Sequence, residues 1–107
     1  MKEILTIDQG TTSSRSIIFN ESLEAVQESQ KEYNLSYPND GWVEAEADDI
    51  LSSVKETLNN VLDKSTSLSN IVCCGITNQR ESTVIWEKST GKAIYPVIIW
   101  QDRRTAE

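Results

Sequence analysis

Apolar and polar positions fall into short blocks along this chain. "EILTID" (residues 3–8) is an apolar run that stops at a turn signal, the form of a buried strand. "SRSIIFN" (14–20) has the same form, and the short gap between the two, which contains Gly10, predicts a tight hairpin-like loop. "NESLE" is a polar turn, and "AVQESQKEYNL" is a third, more polar strand of the kind found near a sheet edge. An antiparallel three-strand meander is expected for the first third. "YPNDGWVEAEADD" then reads as a loop, with the turn formers Pro38, Asn39, Asp40 and Gly41.

The clearest helix follows. Ile50, Leu51, Val54, Leu58, Val61 and Leu62 recur at helical spacing and predict one apolar face, with Asp48 or Asp49 as its cap and "SLSN" as its end. "IVCCGI" (71–76) is a continuous apolar run that suits a strand buried on both faces, and a strand reached through a helix invites parallel pairing with an earlier one. "STVIWEKSTGKAIYPVIIW" predicts a hairpin turning at Ser89-Thr90-Gly91, and "QDRRTAE" the start of another helix. The fold class expected is α/β: a meander, a helix, a further strand and a hairpin in one mixed sheet. No repeat, low-complexity segment or linker interrupts residues 1–107, so the pattern reads as the front part of a larger α/β domain.

Composition narrows the function classes. At 107 residues, 37% hydrophobic and 25% charged, the chain is suited to one globular unit with a modest core. A formal net charge of −7 repels phosphate backbones and argues against a nucleic-acid partner. There is no histidine, which excludes a Ser/His/Asp triad and His-ligated metal sites within the chain. Acid–base chemistry would fall to a carboxylate. Cys73 and Cys74 are adjacent, so in a strand they point to opposite faces, and two buried reduced thiols are expected rather than a disulfide. The chain enters a strand directly after Met1-Lys2-Glu3, with no signal peptide and no apolar stretch long enough for a bilayer; a cytoplasmic place is expected.

The candidate chemistry begins at "DQGTTSSR" (8–15). A carboxylate at a strand end can hold a hydrated Mg²⁺, which favours one or two carboxylates plus waters. Gly10 lets a backbone approach a ligand, amides and hydroxyls of residues 11–14 can donate to anionic oxygens, and Arg15 could add a charged fork. The spacing is not that of a Walker A loop. A hairpin turn with satisfied hydroxyls accounts for the same residues.

"DQGTTSSR" resembles the first phosphate-binding motif of the sugar kinase, Hsp70 and actin ATPase superfamily. "GWVEAEADDI", "GITNQREST", "VIWEKSTGK" and "IIWQDRRT" then follow in the order of the FGGY carbohydrate kinases, and "NQRE" followed by "WQDRR" is similar to their glycerol-phosphorylating branch. The resemblance covers nearly the whole chain. It departs at Ala45, where those kinases usually carry a histidine. It implies two RNase H-like domains with ATP and glycerol in the cleft between them, and transfer of the γ-phosphate to give sn-glycerol 3-phosphate. By this resemblance Asp8 lies near Mg²⁺ and the phosphates, while Thr11, Thr12, Ser13 and Arg15 contact the phosphates of ATP or product. Arg80 and Glu81 bind the glycerol hydroxyls, and Trp100 lines the pocket's apolar side. The catalytic base, the adenosine site and the second domain are placed beyond residue 107. Residues 1–107 are then an incomplete N-terminal RNase H-like domain, inactive alone, with glycerol, the rest of the kinase chain and a further copy of itself as partners.

Residue chemistry is compatible with those roles. Arg80 offers fixed donors and Glu81 acceptors, so neighbours could address two hydroxyls of a polyol, and the Trp100 indole could cover its carbons. A solvated pair in a polar turn and a core tryptophan are the plainer alternatives. Trp42 and Trp86 read as packing residues. Arg103-Arg104 at a helix start would oppose the macrodipole, which points to salt bridges or an anion, or else to plain solvation. Two other functions stay open. One is an FGGY kinase for a pentulose or similar sugar, discriminated by residues 78–81; the other is a non-catalytic short protein that associates through an open sheet edge.

Overall fold

A computed structural model describes residues 1–64 and 67–106. The chain order is β1 (Glu3–Gln9), β2 (Ser13–Phe19), β3 (Ala25–Glu32), β4 (Glu44–Ala45), α1 (Ala47–Asp63), a 3-10 turn (Leu68–Asn70), β5 (Ile71–Asn78) and β6 (Val97–Ile98). The first three strands form the expected antiparallel meander, with Asp8 opposite Arg15 across the β1–β2 pair. Period-two burial sets their register: Glu3, Leu5 and Ile7 of β1 and Ser14, Ser16 and Ile18 of β2 face the helix. The β2–β3 turn is tied by the Asn20 carboxamide oxygen, which accepts the Ser22 and Glu24 amides at 2.9 and 3.0 Å. β5 joins β1 in parallel, as its place after a helix predicts, and completes a sheet of order β3-β2-β1-β5.

The helix differs from its sequence pattern. Its N-cap is Glu46, without a side-chain cap bond; Asp48 and Asp49 lie inside the first turn, where they complement the dipole but cap nothing. The fully buried ridge is Ser53, Thr57 and Val61, at i, i+4 and i+8, so Val61 alone of the apolar set is fully buried. The reason lies in β2. Its inward residues at the loop end are Ser14 and Ser16, and small hydroxyl residues on both elements let them meet closely. Ser14 Oγ lies 2.7 Å from Ser53 Oγ, and Ser16 Oγ 2.9 Å from Thr57 Oγ1. Only at the far end does an apolar cluster form, of Leu5, Ile18 and Val61 with Leu58, Leu62 and Ile71 packed around it. Ile50, Val54, Leu58 and Leu62 are half-buried flanks, and Leu51 is exposed. The helix ends at Asp63, ahead of "SLSN", which holds the 3-10 turn; residues 65–66 lie outside the described residues.

β5 is not buried on both faces. Val72 and Ile76 are 57% and 73% exposed, and Cys73 and Cys74 are free and exposed instead of buried. α1 packs over β2 and β3 and only marginally over β1, so it does not reach the β5 edge of the sheet.

The hairpin turns as expected, with Gly91 at φ +74° and Trp86 bridged to Ala93. It does not enter the main sheet. Its returning strand β6 pairs antiparallel with β4, a two-residue strand not anticipated from the loop-like composition around it. This small sheet carries a second cluster: Tyr33, Val43, Ala45, Val97 and Ile99. Trp86 is 57% exposed, so it is no core residue. Residues 101–106 form turns rather than a helix, and Glu107 lies outside the described residues. Asp102 explains the change. Its carboxylate accepts the Val43 amide at 2.7 Å and binds Arg104, an i, i+2 pairing that helix geometry does not allow.

Candidate functional site

The β1–β2 loop and the end of β5 lie side by side because β1 and β5 are parallel neighbours, which brings their C-terminal ends to one edge. Gly10 makes the loop tight: its N–H donates to the Ser13 carbonyl at 2.8 Å, and a Cβ at this position would sit 3.1 Å from that oxygen. Beyond β5 the chain bends at Arg80-Glu81, and Glu81 adopts φ +63°, a left-handed conformation rare for a residue with a side chain. Trp100 closes the third side. Its indole N–H donates to Thr11 Oγ1 at 2.8 Å, and its backbone N–H to Ser82 Oγ at 3.0 Å. Thr11, Asn78, Gln79, Arg80, Glu81 and Trp100 line an open groove of about 460 Å³.

Of the residues singled out from sequence, Thr11, Arg80, Glu81 and Trp100 thus share one groove. Trp100 is half in solvent, so it is a wall of the groove rather than core. Asp8 is the penultimate residue of β1, with its side chain exposed on the sheet face opposite the helix and across from Arg15 and Thr77. Thr12 lies in the loop and its carbonyl accepts the Tyr33 amide at 3.1 Å. Ser13 Oγ accepts from Gln30 at 2.9 Å. Arg15 does not face the groove: it donates to Gln30 Oε1 at 2.8 Å and pairs with Glu28 at 3.3 Å on the β3 side. Among the described residues no group of three or more His, Cys, Asp or Glu side chains forms a metal cage. A single strand-end carboxylate, Asp8, fits the habit of Mg²⁺, which takes most of its oxygens from water and phosphate.

Sequence reasoning missed the hydrogen-bonded net beneath the groove. Gln9 Nε2 donates to the Gly10 carbonyl at 2.7 Å and to Tyr33 Oη at 3.1 Å, and Tyr33 Oη in turn donates to the same carbonyl. Gln79 Nε2 reaches Gln9 Oε1 at 3.0 Å, Tyr33 Oη at 3.0 Å and the Gly10 carbonyl at 3.3 Å, while its Oε1 accepts from Ser82 at 2.8 Å. The signal for Gln79 was its place inside "NQRE"; Tyr33, in a polar edge segment, gave none. An ionic knot around Arg104 follows Trp100 in the chain. That guanidinium binds Asp102 at 2.7 Å and Glu44 at 2.8 Å, and stacks 3.9 Å from the Trp42 ring. The Arg104 hydrogen bond holds the Asp102 carboxyl far below the usual carboxylate range, and Asp102 holds the Arg104 guanidinium still more firmly protonated. Arg104 is therefore a structural pin with a side chain only 12% exposed, not a solvated charge.

One edge of the sheet thus joins a hydroxyl loop to a groove lined by a guanidinium, a carboxylate and an indole. The profile of the "FGGY family of carbohydrate kinases, N-terminal domain" matches residues 3–107, and the chain belongs to that family. The glycerol kinase of Alteromonas mediterranea is 52% identical over 109 residues, covering 99% of this chain and 22% of that protein. That of Fusobacterium nucleatum is 49% identical over 108 residues, covering 100% and 22%. The chain thus spans about a fifth of the length of these relatives. A crystal structure of Plasmodium falciparum glycerol kinase with ADP superposes with a TM-score of 0.85 at 34% identity, over 97% of this chain and 21% of that one. A ligand-bound xylulose kinase from Lactobacillus acidophilus reaches the same TM-score at 22% identity, which shows the shared fold alone. The architecture is accordingly that of the actin-like ATPases, a mixed α/β sheet with one helix. Among the described residues no helix is long and apolar enough to cross a membrane.

Proposed function

We propose that this chain supplies the phosphate-loop and polyol portions of a kinase that transfers the γ-phosphate of ATP to glycerol, giving sn-glycerol 3-phosphate. The observation that carries the reading is the 2.8 Å bond from the Trp100 indole to Thr11, which joins the hydroxyl loop to the groove of Arg80 and Glu81. Transfer requires the acceptor oxygen and the γ-phosphorus to be neighbours, and a shared wall makes them so.

Within this reading, the amides and hydroxyls of Thr11, Thr12 and Ser13 donate to phosphate oxygens. Arg15 joins them by exchanging Gln30 and Glu28 for phosphate. Arg80 donates to one glycerol hydroxyl, Glu81 accepts from another, and the indole covers the carbon chain. Asp8 is the residue that would hold Mg²⁺, whose part is to neutralise charge on the phosphates. Phosphoryl transfer is mostly positioning and charge stabilisation, so these residues carry binding and orientation. The aspartate base and the adenosine pocket belong to the remainder of a full-length kinase, with residues 1–107 as part of its N-terminal RNase H-like domain. A cytoplasmic place suits an enzyme that draws on ATP, and self-association through the open β5 side of the sheet is part of the same reading.

The test is a chimaera in which this chain replaces the matching segment of the Alteromonas mediterranea glycerol kinase. ATP-dependent phosphorylation of glycerol is expected, with kcat/KM for glycerol cut at least ~10-fold by Glu81→Ala. A chimaera that prefers D-xylulose to glycerol would assign the groove to another sugar, and one active on glycerol regardless of Glu81 would remove the groove from the polyol site.

A further inference from the structure

We infer that Tyr33 and Gln79 are positioning residues that clamp the Gly10 carbonyl and so set the phosphate loop and the polyol turn in one register; the inference rests on the kinase reading above. Three donors converge on that carbonyl, from Gln9, Tyr33 and Gln79. One backbone oxygen normally satisfies one or two partners, so the peptide plane between Gly10 and Thr11 is held more tightly than a hairpin turn requires. The consequence is directional. A trans peptide is planar, with its C=O and N–H pointing opposite ways. Drawing the Gly10 carbonyl inward therefore turns the Thr11 N–H outward, the orientation an anion-binding loop needs.

Gln79 extends the clamp to the other half of the site. Its two amide hydrogens are shared among the oxygens of Gln9, Tyr33 and Gly10, and its amide oxygen accepts from Ser82. Ser82 in turn accepts the Trp100 backbone N–H, and Trp100 returns to Thr11 through its indole. The circuit closes around the groove, with Gln79 immediately before Arg80. A shift of the loop moves Gln79, and with it the bend that aims Arg80 and Glu81. Neither Tyr33 nor Gln79 needs to touch the reacting atoms. Tyr33 is buried in the β4–β6 cluster, which makes its ring a fixed post for the hydroxyl.

Tyr33→Phe is the cleanest probe, since it keeps the ring and removes only the hydroxyl. In the chimaera, Tyr33→Phe and Gln79→Ala should each raise KM for both ATP and glycerol by ~5–10-fold, the scale of one lost hydrogen bond. Arg80 or Glu81 variants should raise KM for glycerol alone. Gln79→Glu keeps the shape but sets a carboxylate against the Gly10 and Gln9 oxygens, so it should be worse than Gln79→Ala. A merely structural role would lower the active fraction and hence kcat, with both KM values unchanged; that result overturns the inference, as does a Gln79→Glu variant that behaves like the parent. If the parent chimaera fails on glycerol, the kinase reading fails by itself. The clamp is then decided in the 107-residue chain by NMR: exchange of the Trp100 indole and backbone amide hydrogens, which close the circuit on Thr11 and Ser82, should quicken ~10-fold in Tyr33→Phe, on the same one-bond scale. Unchanged exchange overturns it.

Discussion

Glu81 adopts a backbone conformation that favours glycine, φ +63°, at the bend that lines the groove. The hairpin meets the same need at Gly91, φ +74°, with a glycine. The left-handed region costs a residue with a Cβ about 1–2 kcal/mol. Glycine escapes that cost but gives back about 0.4–1 kcal/mol through its freer unfolded chain. Glu81→Gly should therefore be more stable than Glu81→Ala by roughly 1 kcal/mol, or about 4–8 °C in Tm for a chain of this size. Both variants lose the carboxylate, and both should lose at least ~10-fold in kcat/KM for glycerol in the chimaera. The assay is paired urea and thermal unfolding of the two variants beside the parent, followed by steady-state kinetics. Equal stability of the glycine and alanine variants would refute the strain argument. Full glycerol activity in either would show that the strained bend is held for something other than the polyol.

Other outcomes follow from the same geometry. In the chimaera, Asp8→Asn should lower kcat by ~10²–10³ while leaving KM for glycerol nearly constant, as loss of a charge aimed at the transferring phosphate does. Ser53→Ala leaves the buried Ser14 hydroxyl without its 2.7 Å partner and should cost ~1–3 kcal/mol in denaturant unfolding, whereas Ser14→Ala/Ser53→Ala together should cost less than the sum. Asp102 is held below the usual carboxylate range, so its contribution is complete above the unfolded-state value of ~3.9 and is lost as pH falls below it; Asp102→Asn should lower stability at neutral pH and flatten the acid limb of an unfolding titration. Val72, Ile76 and Leu51 expose an apolar strip beside β5, and sedimentation of the 107-residue chain should show concentration-dependent association that Ile76→Lys abolishes.

Much of this was legible in the sequence, and the failures share a cause. The meander, the parallel β5 and the hairpin turn follow from local signals, namely apolar runs, turn residues and the order of elements. The helix face did not. Periodicity ranks residues by hydrophobicity, but the partner strand offered Ser14 and Ser16, so hydroxyl pairs at Ser53 and Thr57 took the buried ridge. Cys73 and Cys74 read as buried because an apolar strand usually has cover, and whether a helix reaches that strand is a tertiary fact. The tail read as a helix because the partners of Asp102 and Arg104 lie some sixty residues earlier, at Val43 and Glu44. In the site, Thr11, Arg80, Glu81 and Trp100 were found through motifs. Tyr33 has no motif, since its part depends on where the end of β3 delivers one hydroxyl.

The most direct measurement is a crystal structure of the chimaera with glycerol and ADP bound together. Glycerol should lie between Arg80, Glu81 and the Trp100 indole, with the ADP phosphates on the amides and hydroxyls of Thr11, Thr12 and Ser13 and the Gly10 carbonyl still held by Tyr33. Glycerol bound away from Arg80 and Glu81, or phosphates that leave residues 11–13 untouched, would contradict the assignment of this groove as the meeting point of phosphate and polyol.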